Sequence, residues 1–187
     1  NGRSQILQKG NARASKGAVC VVLDDSGSMY SGSPHTRAEW SRALSLAIIS
    51  GALAERRPVH LVLFSDSVVG SVSARRPDDM LRVLDVLALN SGGGTVLATA
   101  LDEVLEAIPQ FPQPSGTDVL VISDGLTDDV TQEVKAIHRM GLDNQVNLLM
   151  IGSHADYTNL YDQVWTVPDA LLAKPLSADT MELVSQV

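Results

Sequence analysis

Residues 21–29, VVLDDSGSM, run an apolar segment straight into two aspartates and two serines. Asp24, Ser26 and Ser28 stand at i, i+2 and i+4, all with hard oxygen donors, and Gly27 permits a sharp turn between the serines. Two further stretches have the same make-up. In residues 90–95, NSGGGT, three glycines let the backbone come close to a ligand and present the Thr95 hydroxyl. In residues 122–125, ISDG, Asp124 directly follows an apolar run. Two carboxylates and three hydroxyls, with no clustered Cys or His, form a donor set for a hard cation, Mg²⁺ or Mn²⁺ rather than Zn²⁺. With so few charged ligands the ion would stay electrophilic and keep one position open, which a carboxylate from another molecule could fill.

These donors need a scaffold that brings three distant loops to one edge. Short apolar runs at 18–23, 59–64, 67–72, 118–122, 146–151 and 164–167 read as strands. Between them, 37–55, 77–89, 97–108 and 131–140 have helical spacing, and 177–187 forms a last amphipathic piece. The alternation predicts a doubly wound α/β domain: a mostly parallel six-stranded sheet with helices on both faces. The short SDS link at 65–67 makes one strand of the second pair an antiparallel edge. In such sheets ligands bind beyond the carboxyl ends of the strands, where all three loops fall. The chain divides into a basic lead-in or linker, 1–17, with Arg3, Lys9, Arg13 and Lys16 and no acid, and one domain, 18–187, whose 170–187 piece is a C-terminal helical segment.

The D-x-S-x-S pattern at Asp24, Ser26 and Ser28, the glycine-rich loop ending in Thr95, and Asp124 in SDG together resemble the metal-ion-dependent adhesion site of von Willebrand factor A domains. The motifs occur in the family's order, and the resemblance covers about 18–167. It implies that Ser26, Ser28 and Thr95 ligate the ion directly, while Asp24 and Asp124 hold its waters or ligate through them. Met29 after SGS, ALAERRPVHLVLFS, VLVISDG and LYDQVWTV are similar to the intracellular bacterial ViaA and CoxE-like group, whose partners are MoxR-type AAA+ ATPases. The resemblance thus implies a non-catalytic adaptor or co-chaperone domain that recognises a Glu or Asp of a partner protein through Mg²⁺ or Mn²⁺. The chain departs from the pattern at Asp25, a spacer position expected to face solvent, and at Val96, where a polar residue is common.

Other chemistries fit less well. A formal net charge of −8 argues against nucleic acid, whose phosphates need clustered Lys and Arg. The 187 residues, 44% hydrophobic and only 4% aromatic, suit an aliphatic α/β core. Cys20, the single cysteine, sits in an apolar run and reads as a buried thiol. No apolar run approaches the ~20 residues of a membrane span. With no secretory leader in view, the expected compartment is the cytoplasm, and the opening Asn1 suggests a piece of a longer protein. There is no phosphate-binding Gly-Lys-Ser/Thr loop and no G-x-S-x-G elbow. Asp66 is a poor phosphoacceptor, and His154 with Asp156 reads as a polar loop. The bland alternative for Asp24, Ser26 and Ser28 is an ordinary helix cap, and Asp128 and Asp129 are expected to cap the helix near Val130. An extracellular adhesin would use the same site, whereas a metal-dependent hydrolase would need Asp25 or Asp128 as general base.

Overall fold

The computed structural model describes residues 16–32, 34–125, 127–141, 143–152 and 158–172. The helix expected at 177–187, most of the lead-in, and His154 with Asp156 lie outside the described residues.

Six strands form one sheet: β1 (Val19–Asp24), β2 (Val59–Phe64), β3 (Val68–Ala74), β4 (Asp118–Ser123), β5 (Gln145–Ile151) and β6 (Gln163–Val167). Their order is β3-β2-β1-β4-β5-β6, with every neighbouring pair parallel except β2 and β3. This is the expected doubly wound sheet with its antiparallel edge. β1 and β2 are buried at every position, because the sheet is covered on both faces and no polar alternation is needed.

The covering helices are α1 (Arg37–Ala54), α2 (Met80–Leu87), α3 (Leu97–Ala107) and α4 (Thr131–Met140), with a short α5 (Asp169–Leu172) after β6. On one face Trp40, Leu44 and Leu53 of α1 and Val83 and Leu87 of α2 pack on Val21, Leu23, Leu61 and Ile122. On the other, Leu97, Leu101 and Val104 of α3 and Val134 and Ile137 of α4 meet Cys20, Val22, Val62, Val119 and Val121. Successive β1 residues thus feed opposite layers, as the pleat requires. The Cys20 thiol, fully buried, has its pKa pushed up to about 12 by burial.

A capping box starts α1. The Glu39 amide donates to Thr36 Oγ1 at 3.2 Å, and the Thr36 amide donates to Glu39 Oε2 at 2.8 Å. Two elements differ from the sequence reading. The segment 77–89 is a 3₁₀ turn, Pro77–Asp79, followed by a shorter α2, because the Asp79 carboxylate ties back to the Arg75 and Arg76 amides. β3 starts at Val68 because Ser67 belongs to the turn, its carbonyl accepting from the Ser65 amide at 2.9 Å.

Candidate metal centre

β1 and β4 lie side by side, and from them the chain winds outward in opposite directions, to β2 on one side and β5 on the other. The crevice beyond their carboxyl ends is where a doubly wound sheet binds ligands. Asp24 ends β1, Ser123 ends β4 and Asp124 follows it. Asp24 is held in place by donors alone: the Ser26 amide gives to Oδ1 at 2.8 Å and the Ser123 hydroxyl to Oδ2 at 2.6 Å. Ser26 Oγ and Ser28 Oγ lie 3.1 Å apart and share a hydrogen bond in which either can donate. Neither hydroxyl caps a helix: the turn Gly27–Tyr30 has no side-chain cap, and α1 is capped by Thr36. The helix-cap alternative for the two serines therefore falls.

The glycine-rich loop reaches this edge through backbone contacts. The Gly27 amide donates to the Gly93 carbonyl at 2.9 Å, which joins the first loop to the second. Asp25 Oδ2 accepts from the Ser91 amide at 2.7 Å, Asp66 Oδ1 from the Gly94 amide at 2.7 Å, and the Ser65 carbonyl from the Val96 amide at 2.8 Å. Thr95 stands half-buried between these fixed points, and among the described residues its hydroxyl bonds none of the other four candidate ligands. The apolar Val96 leaves the start of α3 uncapped by its own side chain, and Asp128 supplies the cap instead, accepting from the Leu97 amide at 2.7 Å. Only Asp129 serves α4, through the Thr131 amide and hydroxyl, so the expectation for Asp128 is corrected: it caps the preceding helix.

Asp25 is also corrected. It is fully buried, not solvated, and receives hydrogen bonds from Tyr30 Oη at 2.8 Å and from Arg42 Nη2, with which it forms an ion pair. Arg42 in turn gives Nε to the Leu87 carbonyl and Nη2 to the Leu89 carbonyl, both at 2.9 Å, closing the end of α2. A second arginine of α1, Arg37, places Nη1 3.2 Å from Asp124 Oδ2 and holds Asp169 with Nε and Nη2, each at 3.1 Å. Among the described residues Asp24 forms no ion pair, although it is only 1% exposed. Burial therefore pushes its pKa up to about 6; the Ser123 and Ser26 hydrogen bonds oppose this, and the charge of Asp124 adds to it.

This donor chemistry fits a small divalent ion. Octahedral Mg²⁺ with bonds of about 2.0–2.1 Å sets neighbouring ligand oxygens about 2.9 Å apart, close to the 3.1 Å between the two serine hydroxyls. A carboxylate that is buried and, among the described residues, without a cationic partner lies beside them. Among the described residues no group of three His, Cys, Asp or Glu side chains gathers to hold a metal, so any site here is built largely from hydroxyls.

Against known proteins, the sequence model of the family described as "VWA domain containing CoxE-like protein" matches residues 4–149. The chain belongs to this family. VWA domains are protein-interaction modules, generally non-catalytic. An uncharacterised protein of Methanocaldococcus jannaschii is 29% identical over 114 residues, 60% of this chain and 25% of that protein, so the chain spans about a quarter of this relative's length. Solved structures share the fold: a von Willebrand factor type A protein from Catenulispora acidiphila has TM-score 0.66 at 16% identity, covering 91% of this chain and 42% of that one. The conserved hypothetical protein BatB from Bacteroides thetaiotaomicron has TM-score 0.59 at 17% identity, covering 91% and 100%. The pilus adhesin SpaC from Lactobacillus rhamnosus GG has TM-score 0.67 at 14% identity, covering 93% and 31%. Among the described residues no helix is long and apolar enough to cross a membrane.

Proposed function

We propose that this VWA domain binds Mg²⁺ or Mn²⁺ at Asp24, Ser26, Ser28, Thr95 and Asp124, and uses the ion to capture a Glu or Asp side chain of a partner protein. The observation that carries this reading is Asp24: buried, without an ion-pair partner among the described residues, and set at the switch point of the sheet near two serine hydroxyls spaced like neighbouring ligands. The ion would supply the positive charge that Asp24 lacks, and its open position would take the partner's carboxylate. Ser123 and the Ser26 amide hold Asp24 in place, leaving the two serine hydroxyls free of capping duty.

Both aspartates that could act as a general base are committed elsewhere, Asp25 to Arg42 and Tyr30 and Asp128 to the start of α3, which supports binding without catalysis. Membership of the CoxE-like family supports the further proposal that the domain works in the cytoplasm as the adaptor of a MoxR-type AAA+ ATPase. The likeness to a pilus adhesin is one of fold, at 14% identity. Capture of a purified MoxR-type ATPase by the immobilised domain, in Mg²⁺, in EDTA and with Asp24→Ala, tests the reading. Retention only in Mg²⁺ and with Asp24 intact supports it; equal retention in all three arms overturns the role of the ion. Absence of retention in every arm removes the adaptor assignment.

A further inference from the structure

Asp66, on the turn between β2 and β3, is exposed and belongs to neither the ligand set nor the core. Its carboxylate reaches across to the glycine-rich loop and accepts the Gly94 amide at 2.7 Å, from 28 residues away in the chain. The approach is so close that a Cβ on Gly93 would stand 2.6 Å from Asp66 Oδ2, and one on Gly94 would collide with Oδ1. A side chain at either glycine would displace the Asp66 carboxylate from this position. Gly93 also has φ of +109°, which side chains rarely adopt. On the other side of the loop, buried Asp25 accepts the Ser91 amide, and the Gly27 amide takes the Gly93 carbonyl. Residues 91, 93, 94 and 96 are thus each fixed by a hydrogen bond to another protein group, none of which needs an ion, and Thr95 is carried between them.

We propose that Asp66 is a positioning residue which, with Asp25, holds the 91–95 loop and its Thr95 hydroxyl in the ion-binding arrangement before any ion arrives. The inference rests on the metal-binding reading given above. It gives a loop of three consecutive glycines, otherwise costly to order, fixed anchor points, and it separates holding the loop from holding the ion. When the competent conformation is only a fraction of the population, apparent affinity falls by that fraction.

The test uses Mn²⁺ titration by calorimetry together with amide exchange of Gly94 and Ser91 in EDTA, on the wild type, Asp66→Ala and Asp66→Asn. Asp66 is exposed, so both variants keep the core. Wild-type Gly94 should be protected without metal. Asp66→Ala should lose that protection and bind Mn²⁺ about tenfold or more weakly. Asp66→Asn, which keeps a carbonyl acceptor for the amide, should restore most of both. If Asn binds as poorly as Ala, Asp66 acts through its charge and not by positioning the loop. If Gly94 exchanges freely in metal-free wild type that still binds Mn²⁺, the preformed loop is wrong while the metal site stands. If the wild type binds no Mn²⁺, the metal reading falls and this inference with it.

Discussion

Asp24→Asn should make the metal-free protein more stable while abolishing its response to Mg²⁺. The pKa of Asp24 rises from 3.8 to about 6 in the folded protein, chiefly through burial. Between those values the native state holds a proton that the unfolded chain releases, so stability falls as pH rises, and the full penalty is present above about pH 6. A shift of about two pH units corresponds to ~3 kcal/mol. Asn keeps an acceptor for the Ser26 amide but forces the Ser123 hydroxyl to turn and accept, which costs about 1 kcal/mol. The net gain of ~2 kcal/mol corresponds to a rise of roughly 4–8 °C in Tm for a chain of this size. Thermal unfolding in EDTA at pH 8 measures it, and the gain should shrink towards pH 4.

The wild-type pH profile alone would mislead. Burial lowers the pKa of His60, so the unfolded chain binds the extra proton there, and this contribution to stability is lost as pH falls below about 6.5. His60 therefore opposes Asp24 over part of the same range. Taking the difference between wild type and Asp24→Asn at each pH cancels it. If Asp24→Asn melts at or below the wild type at pH 8 in EDTA, Asp24 is not an unmet buried charge and the case for the ion loses its foundation.

Four other substitutions, one of them a second-site change, separate the parts of the site. Ser26→Ala should change stability in EDTA by only about 1 kcal/mol, since its hydroxyl bonds Ser28 but caps no helix, yet remove most of the rise in Tm on adding Mg²⁺. Arg42→Ala should cost about 3–5 kcal/mol in urea unfolding by stranding buried Asp25, and adding Asp25→Asn should recover a large part of it. Arg37→Gln takes the guanidinium from Asp124, whose side chain is 2% exposed. It should lower Tm in EDTA but give a larger Mg²⁺ rise than the wild type shows, since the ion then replaces the missing charge.

The strands were readable because a sheet covered on both faces demands unbroken apolar runs, and the loops of Asp24 and Asp124 stand at strand ends as those runs imply; the third loop, 90–95, instead lies between α2 and α3, which corrects the expectation that all three follow strands. The supporting residues were not readable. Asp25 was expected to face solvent on the alternation rule, but alternation only sends it to the face opposite Asp24, and there α1 lays Arg42 over it. Arg37 and Arg42 carry no motif; their contacts depend on how α1 crosses the sheet. Asp66 meets Gly94 only because β2 and α3 lie together, a contact across 28 residues that local spacing cannot reveal. The one available signal was the run of three glycines, which marks a backbone that something must approach closely.

The charges at the edge of the sheet bear on how a chain of net charge −8 could recognise an acidic partner. Three aspartates are buried there, and α1 supplies arginines to two of them: Arg42 to Asp25 and Arg37 to Asp124. Asp24 remains, and Arg37 is shared with Asp169, so these six side chains sum to −2 and would repel an incoming carboxylate. A divalent ion brings −2 to zero, so the partner's carboxylate no longer meets a net negative site. The ion therefore removes a repulsion as well as offering a coordination position. Arg37→Gln should leave the ion-loaded site at −1 before the partner arrives. That should weaken the partner's hold while strengthening the ion's, two effects that a purely structural role for Arg37 would not drive in opposite directions.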